Sequence, residues 1–322
     1  MSNSFLPEGM LLGTASNLEY ITSLQGIERA LNDGTILEAT VTLCDNAMRL
    51  HVDMHGIKGI VEKNECMYCR NGEEVKDIAI ITRVGKPICF KVIGIDFSSG
   101  KPIAILSRRM AQEECIRMKR NDLIEGDIVT VKVTHLENFG AFVDIGCGVA
   151  SLLSVDCISV SRISHPSNRL KVGDTIYTVV KTIDRETGRI FVSMRELLGT
   201  WEENASRYEI GQTVSGIVRS IENYGVFVEL APNLAGLAEI REGTKDKEIA
   251  QVGASVAVYI KSIIPDRMKI KLVLIDSYKG EPMRSGIEYF IDCKSISHLN
   301  HWKYSPQNSK KIIETLFEYK KS

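Results

Sequence analysis

Two short stretches hold residues whose types and spacing could do chemistry. "HLENFGAFVDIGCG", His135 to Gly148, places Phe139 and Phe142 three residues apart around Gly140. "SIENYGVFVELAPN", Ser220 to Asn233, repeats the device with Tyr224, Gly225 and Phe227. Flat rings held at a surface can stack on other flat groups, and on unpaired bases they gain about 1–3 kcal/mol each. Rings that cover one end of a core are the competing reading. In each stretch an acid follows the second ring by two positions, Asp144 and Glu229. Successive side chains of a strand point to opposite faces. Ala141 and Val143 then share the core face, and Phe142 and Asp144 the wet one, because a carboxylate does not face a core. Val226 and Val228 fall inward and Phe227 and Glu229 outward in the same way. Three residues of regular strand would set Phe139 opposite Phe142. Gly140 permits a bulge or bend that brings both rings to the outer face.

Other chemistries are poorly supported. The sequence has no P-loop, no Gly-x-Ser-x-Gly and no His-Glu-x-x-His. Asp184 and Glu186 sit in a charged turn, where solvation is the default. No catalytic residue, cofactor or metal site is expected. Cys66 and Cys69 in "NECMYCRN" have the spacing of a zinc or redox pair, but no second Cys-x-x-Cys or His pair follows. The βαβ setting of a thioredoxin-like motif is also missing, so both read as loop thiols. The start carries no secretory signal, and no apolar run approaches the roughly 18 residues of a membrane span. With eight cysteines and no such signal, the chain is expected in the cytoplasm with reduced thiols. A net charge of -1 excludes phosphate neutralisation as the sole basis of nucleic-acid binding. Local patches or stacking would have to carry it.

The elements that position the rings form an internal repeat. "EGDIVTVKVTHLENFGAFVDIGCGVASLL" from Glu125 lies over "IGQTVSGIVRSIENYGVFVELAPNLAGLA" from Ile210. Gly-led strands follow each, from Lys171 and Gln251, and then the basic alternating strands "GRIFVSMR" and "MKIKLVLI". An earlier, weaker copy runs from Asp33 through "RVGKPICFKVIGID" and "KPIAILSRR". It lacks the rings: Met48, Arg49 and His51 stand where Phe139, Gly140 and Phe142 stand. Period-2 alternation and glycine-led starts predict five short strands per copy. Five strands that must hide their edges close most economically into a small barrel. The joints read as helices. "SRRMAQEECIRMKRND" from Ser107 has good helix formers, and "SMRELLGTWEEN" opens with Ser193 and Glu196 in capping-box spacing. "NLEYITSLQGIERALND" sets Leu18, Ile21, Leu24, Ile27 and Leu31 on one side of a helix.

The order Gly126, "NFGAFVDIGCGVASLL", "HPSNRLKVGD" and "IDRETGRIFVSMRE" resembles the S-one RNA-binding domain family, the repeat of a bacterial ribosomal small-subunit protein. The third copy resembles it from Gly211 to Leu274, the first only in outline. The resemblance implies a mainly β chain of three tandem five-stranded OB-fold barrels joined by short helices. Its parts would be an N-terminal helical segment (1–32), a degenerate repeat (33–107), a helical linker (108–122), a second repeat (123–196), a second linker (197–208), a third repeat (209–276) and a C-terminal extension (277–322). It also implies an RNA-facing set. In the second repeat this falls on Phe139, Phe142, Asp184 and Arg189, with Ser154 where the family often has histidine and Ser151 in place of a glycine. In the third it falls on Tyr224, Phe227 and Lys269, with Glu239 at the histidine place and Pro265 at the aspartate place. Glu239 repels phosphate, so the second repeat is expected to bind better.

Lys132, Arg185, Arg195, Arg219, Lys261 and Lys271 are candidate phosphate contacts or solvated charges, and His165 a contact or a loop residue. Trp302, Tyr304 and the lysines from Lys310 either extend an RNA surface or pack on the last barrel. The ring-less first repeat is expected to be structural or to dock on protein, the small ribosomal subunit among its partners. The leading expectation is a non-enzymatic protein that binds single-stranded RNA, mRNA in particular, in translation. The alternative is a protein-interaction scaffold, or a transcription regulator acting through RNA, with little RNA affinity of its own.

Overall fold

The computed structural model describes residues 5–69, 73–98, 100–240, 250–278 and 286–317. It contains three closed five-stranded barrels in tandem. The first is built from β1 (Leu37–Cys44), β2 (Leu50–Met54), β3 (Ile57–Val61), β4 (Pro87–Asp96) and β5 (Ile103–Ser107). The second holds β6 (Ile128–Glu137), β7 (Gly140–Asp144), β8 (Ala150–Ser154), β9 (Thr175–Asp184) and β10 (Arg189–Ser193). The third holds β11 (Thr213–Glu222), β12 (Gly225–Ala231), β13 (Leu234–Glu239), β14 (Ser255–Ile264) and β15 (Lys269–Tyr278). In each barrel the third strand runs parallel to the fifth, and all other pairs are antiparallel.

Alternation fills each barrel from alternate positions. Val131, Val133, Ala141, Val143, Leu153, Ile190 and Val192 meet in the second core. Val218, Val226, Val228, Ala238, Ile270 and Leu272 meet in the third. The first strand bulges at the same place in all three barrels: between Val41 and Leu43, Val133 and His135, and Val218 and Ser220. The bulge lets one strand pair first with the fourth strand and then with the second, as closure requires.

The N-terminal segment forms two helices where the periodicity predicts one: α1 (Ala15–Ile21) and α2 (Leu24–Asp33). Ser23 accepts a hydrogen bond from the Gly26 N–H and so starts a second helix. A Cβ at Gly26 would lie 2.3 Å from the Tyr20 carbonyl oxygen, so only glycine lets the helices meet this closely. In the first barrel α3 (Asp77–Ile81) precedes β4, and α4 (Arg108–Asp122) carries the chain to the second. The short α5 (Val155–Ile158) follows β8. The capping box of the next joint is Thr200 with Glu203, at the start of α6 (Trp201–Ala205). Ser193 and Glu196 meet side chain to side chain instead, because Ser193 ends β10 and an irregular turn intervenes.

The C-terminal extension runs back over two barrels. Its Ser297 carbonyl accepts from the Ile128 N–H, and Leu299 donates to Gly126. A two-stranded ribbon, β16 (His301–Lys303) and β17 (Glu314–Leu316), lays Trp302 and Tyr304 into the core of the third barrel. For these two rings packing is the outcome. Lys310 and Lys311 stay exposed. Cys66 is buried, with its thiol donating to the Glu62 carbonyl, and Cys66 and Cys69 are both free.

Candidate nucleic-acid interface

The second barrel carries the larger aromatic surface. Asn138 and Phe139 form the two-residue turn of the β6–β7 hairpin, in which Glu137 pairs with Gly140. The turn brings Phe139 over Phe142, with centroids 5.9 Å apart and planes at 89°. The two rings therefore share the outer face by turn geometry, and no bend at Gly140 is involved. Gly140 serves another purpose. A Cβ there would lie 2.5 Å from the Leu153 carbonyl oxygen, so the missing side chain is what lets β8 close on β7.

Register extends the surface beyond the expected pair. His135, Phe142, Leu152 and Phe191 are cross-strand neighbours and form one outward row across β6, β7, β8 and β10. The His135 ring is 6.5 Å from Phe142 at 29°, a stacked arrangement, and its Nε2 lies 2.8 Å from Glu137 Oε1. Phe139 is 55% exposed, and His135 is exposed beside it. His135 and Phe191 are surface rings that the spacing argument missed. Their signal was present: once β6 and β10 are registered on β7 and β8, both must face out beside Phe142.

The remaining expected residues lie around this row. Ser154 pairs with Gly140 beside the rings. Ser151, which stands in place of a glycine, is buried and donates to the Ile190 carbonyl at 2.5 Å. Asp184 and Arg189 pair at the end of the β9–β10 hairpin. Asp184 accepts from the Thr187 hydroxyl and from the Glu186 and Thr187 N–H groups, and the Thr187 hydroxyl bond above all holds its carboxyl below the usual range. Arg189 stays exposed. His165 caps a short 3₁₀ turn through Nδ1, which accepts from the Ser167 N–H.

Several candidate cations are engaged inside the protein. Lys132 donates to the Glu8 carbonyl at 2.9 Å. Arg195 contacts Glu196 and Thr315 and lies over the Trp302 ring at 5.9 Å. Arg185 donates to the Arg120 carbonyl at 2.5 Å. Arg219 grips Glu229 with two bonds, 2.8 and 3.1 Å. Lys261 stays exposed on β14.

The wet-face assignment of the acids needs correction. Asp144 is on the outer face but only 2% exposed. The N-terminal segment covers it: Oδ2 accepts from the Glu8 N–H at 2.7 Å, and Oδ1 from Gly146 and Gly148 at 2.7 and 3.0 Å. Burial, with the nearby Glu8 charge, pushes its carboxyl up to about 7. Glu8 in turn accepts two bonds from Arg108, at 2.7 and 3.0 Å. Glu229 is equally hidden, between Arg219 and Arg169.

The third barrel repeats the ring pair, with Tyr224 and Phe227 at 6.2 Å and 87°. Its row reads Ser220, Phe227, Leu237 and Lys271. Lys271 lies 3.5 Å from Glu239, so the acid at the histidine place has a cation beside it. Strand register pairs Lys269 with Ile264, as Arg189 pairs with Asp184. Ile264, and not Pro265, therefore occupies the aspartate place, one residue earlier than letter similarity sets it. In the first barrel the row is Leu43, His51, Ile60 and Ile105, with His51 and Arg49 both bound to Asp45. Among the described residues no cluster of three or more His, Cys, Asp or Glu could hold a metal, and no helix is long and apolar enough to cross a membrane.

The model of the S1 RNA binding domain matches residues 122–195, the second barrel. The small ribosomal subunit protein bS1 of Staphylococcus aureus (strain COL) is 30% identical over 275 residues, covering 82% of this chain and 67% of that protein. The bS1 of Rhizobium meliloti (strain 1021) is 30% identical over 211 residues, 62% of this chain but only 36% of that protein. Among solved structures, a multidomain protein with nucleic acid binding domains from Streptococcus pneumoniae is 16% identical, with a TM-score of 0.23, over 75% of this chain and 73% of its own.

Proposed function

We propose that this chain, which belongs to the small ribosomal subunit protein bS1 family, binds single-stranded RNA through the outer faces of its second and third barrels. The observation that carries the reading is the ring group at one hairpin, His135 and Phe139 exposed over the half-buried Phe142, with Arg189 exposed on the neighbouring hairpin. Rings take bases by stacking with little demand on sequence, and one or two cations suffice to hold the backbone. A near-neutral chain can therefore bind RNA. Two modest sites on one chain raise avidity through effective concentration.

Messenger RNA in the cytoplasm, engaged during translation without chemistry on the strand, is the substrate this reading names. Ribosome association fits the first barrel best. Apart from His51 its outer row is aliphatic and carries no ring pair, and Leu43 there is 52% exposed. That same row favours a second reading, in which the chain is chiefly a protein-interaction scaffold. Fluorescence anisotropy of a labelled single-stranded RNA decides between them. Binding that weakens steeply with salt is expected. No binding at low ionic strength leaves the scaffold as the function.

A further inference from the structure

The ring pair of the third barrel, with Tyr224 62% exposed, also borders other segments of the chain. It forms one wall of a cleft of about 460 Å³. Tyr224, Phe227 and Ser220 make the barrel side. Val160, Ser161 and Arg162, from the second barrel, make another, and Tyr304, Lys311 and Ile313 of the C-terminal extension close the third. Trp201 lies at the floor. A volume of a few hundred cubic ångströms is that of a small-ligand site.

The charges of this cleft are arranged for an anion. Arg162 comes from the second barrel, Arg267 from the β14–β15 turn and Lys311 from the extension, and all three are exposed. Among the described residues, no ion pair engages any of their side chains. Arg219 also lines the cleft, but Glu229 holds it. Glu222 is the one acid of the lining. Three free cations from three separate segments, facing two aromatic rings, match the two ends of a nucleotide: a base that stacks and a phosphate that pairs.

We infer that this cleft holds a single unpaired nucleotide of an RNA strand, with its base against Tyr224 and Phe227 and its phosphate among Arg162, Arg267 and Lys311. The inference rests on the RNA-binding reading above and deepens it. The third barrel's site is composite, lined by three segments, whereas the ring row of the second lies on that barrel's own strands. The site is complete only when the second barrel and the extension are both in place.

The chain supplies its own reporter. Its two tryptophans, Trp201 and Trp302, both lie in the core of the third barrel, and Trp201 lines the cleft. Tryptophan fluorescence of the full chain therefore reads this site, while anisotropy of a labelled strand reads all sites together. A five-nucleotide polyuridine strand and uridine 5′-monophosphate are expected to change the fluorescence saturably, and uridine without phosphate to act far more weakly. The double variant R162E with K311E, both at exposed positions, is expected to weaken the fluorescence-detected affinity by about tenfold or more and to lower its salt dependence. The matched variant K58E with K86E on the first barrel leaves it unchanged. Wild-type affinity in the R162E–K311E variant, with the strand still binding by anisotropy, overturns the cleft and leaves the RNA reading standing. An equal response to phosphate-free uridine overturns it too. If the strand gives no signal by either method, the RNA reading fails and this inference with it, and a cleft for a peptide side chain takes its place.

Discussion

Asp144 in the second barrel and Glu229 in the third hold the same strand position, two residues past the second ring, and they solve one problem by different chemistry. Both lie on the outer face and both are buried. Asp144 is covered by the N-terminal segment and receives three backbone N–H groups. Its neighbour Glu8 ties that segment to Arg108 of α4 and to the Cys89 N–H of the first barrel. Glu229 instead receives two guanidiniums, from its own Arg219 and from Arg169 of the second barrel. The first barrel has Asp53 at this position. There the acid is exposed and only caps a turn at Gly56. In the second and third barrels the acid thus fastens the barrel to a segment that precedes it. The rings beside it are left free because the fastening sits two residues further along the same face.

The comparison can be broken at its fastenings first. Arg108→Ala strips buried Glu8 of its two short guanidinium bonds and leaves only the more distant Arg83, at 3.6 Å, so it is expected to cost about 3 kcal/mol in urea denaturation. Arg219→Ala leaves Glu229 with Arg169 and should cost clearly less; equal losses would show that the two joints are not built differently. The next effect is one of pH. In the unfolded chain Asp144 titrates near the ordinary 3.8, and in the folded chain near 7. Between these values the folded state keeps a proton that the unfolded state has lost. Stability therefore falls as pH rises from about 4 to about 7, by up to about 4 kcal/mol at about 1.4 kcal/mol per unit. Asp144→Asn should flatten that slope in denaturation series across this range.

The faces differ by smaller amounts. Phe142→Ala is expected to weaken single-stranded RNA binding by about 1–3 kcal/mol with unfolding unchanged, and Phe227→Ala by about 1 kcal/mol. An anisotropy titration in which Phe227→Ala is the worse variant would invert the ranking of the barrels. His135→Ala tests the stacked ring that only the second barrel has. About 0.5–1 kcal/mol is expected in the same titration. No change would limit the site to Phe139 and Phe142.

Much of this was legible from alternation and repetition. The inward valines, the outward Phe142 and Phe227, and the ring-less first copy follow from a period of two read across three copies. What misled was anything that depends on a neighbour distant in sequence. Lys132 and Arg219 look like free cations until Glu8 and Glu229 are placed against them. Gly140 looks like a hinge until β8 is laid beside it. The aspartate place in the third repeat shifted from Pro265 to Ile264 because pairing, not letter similarity, sets equivalence.

By itself, then, the sequence determined the barrels, their number and the faces that carry rings, because side-chain direction along a strand is local and repeats every two residues. Only the tertiary structure decided which outward charges are free, which acids are buried joints, and that the third ring pair lines a cleft. Those depend on segments that meet across a hundred residues or so, and no local period encodes the meeting of Glu8 with Asp144 or of Tyr304 with Asn233.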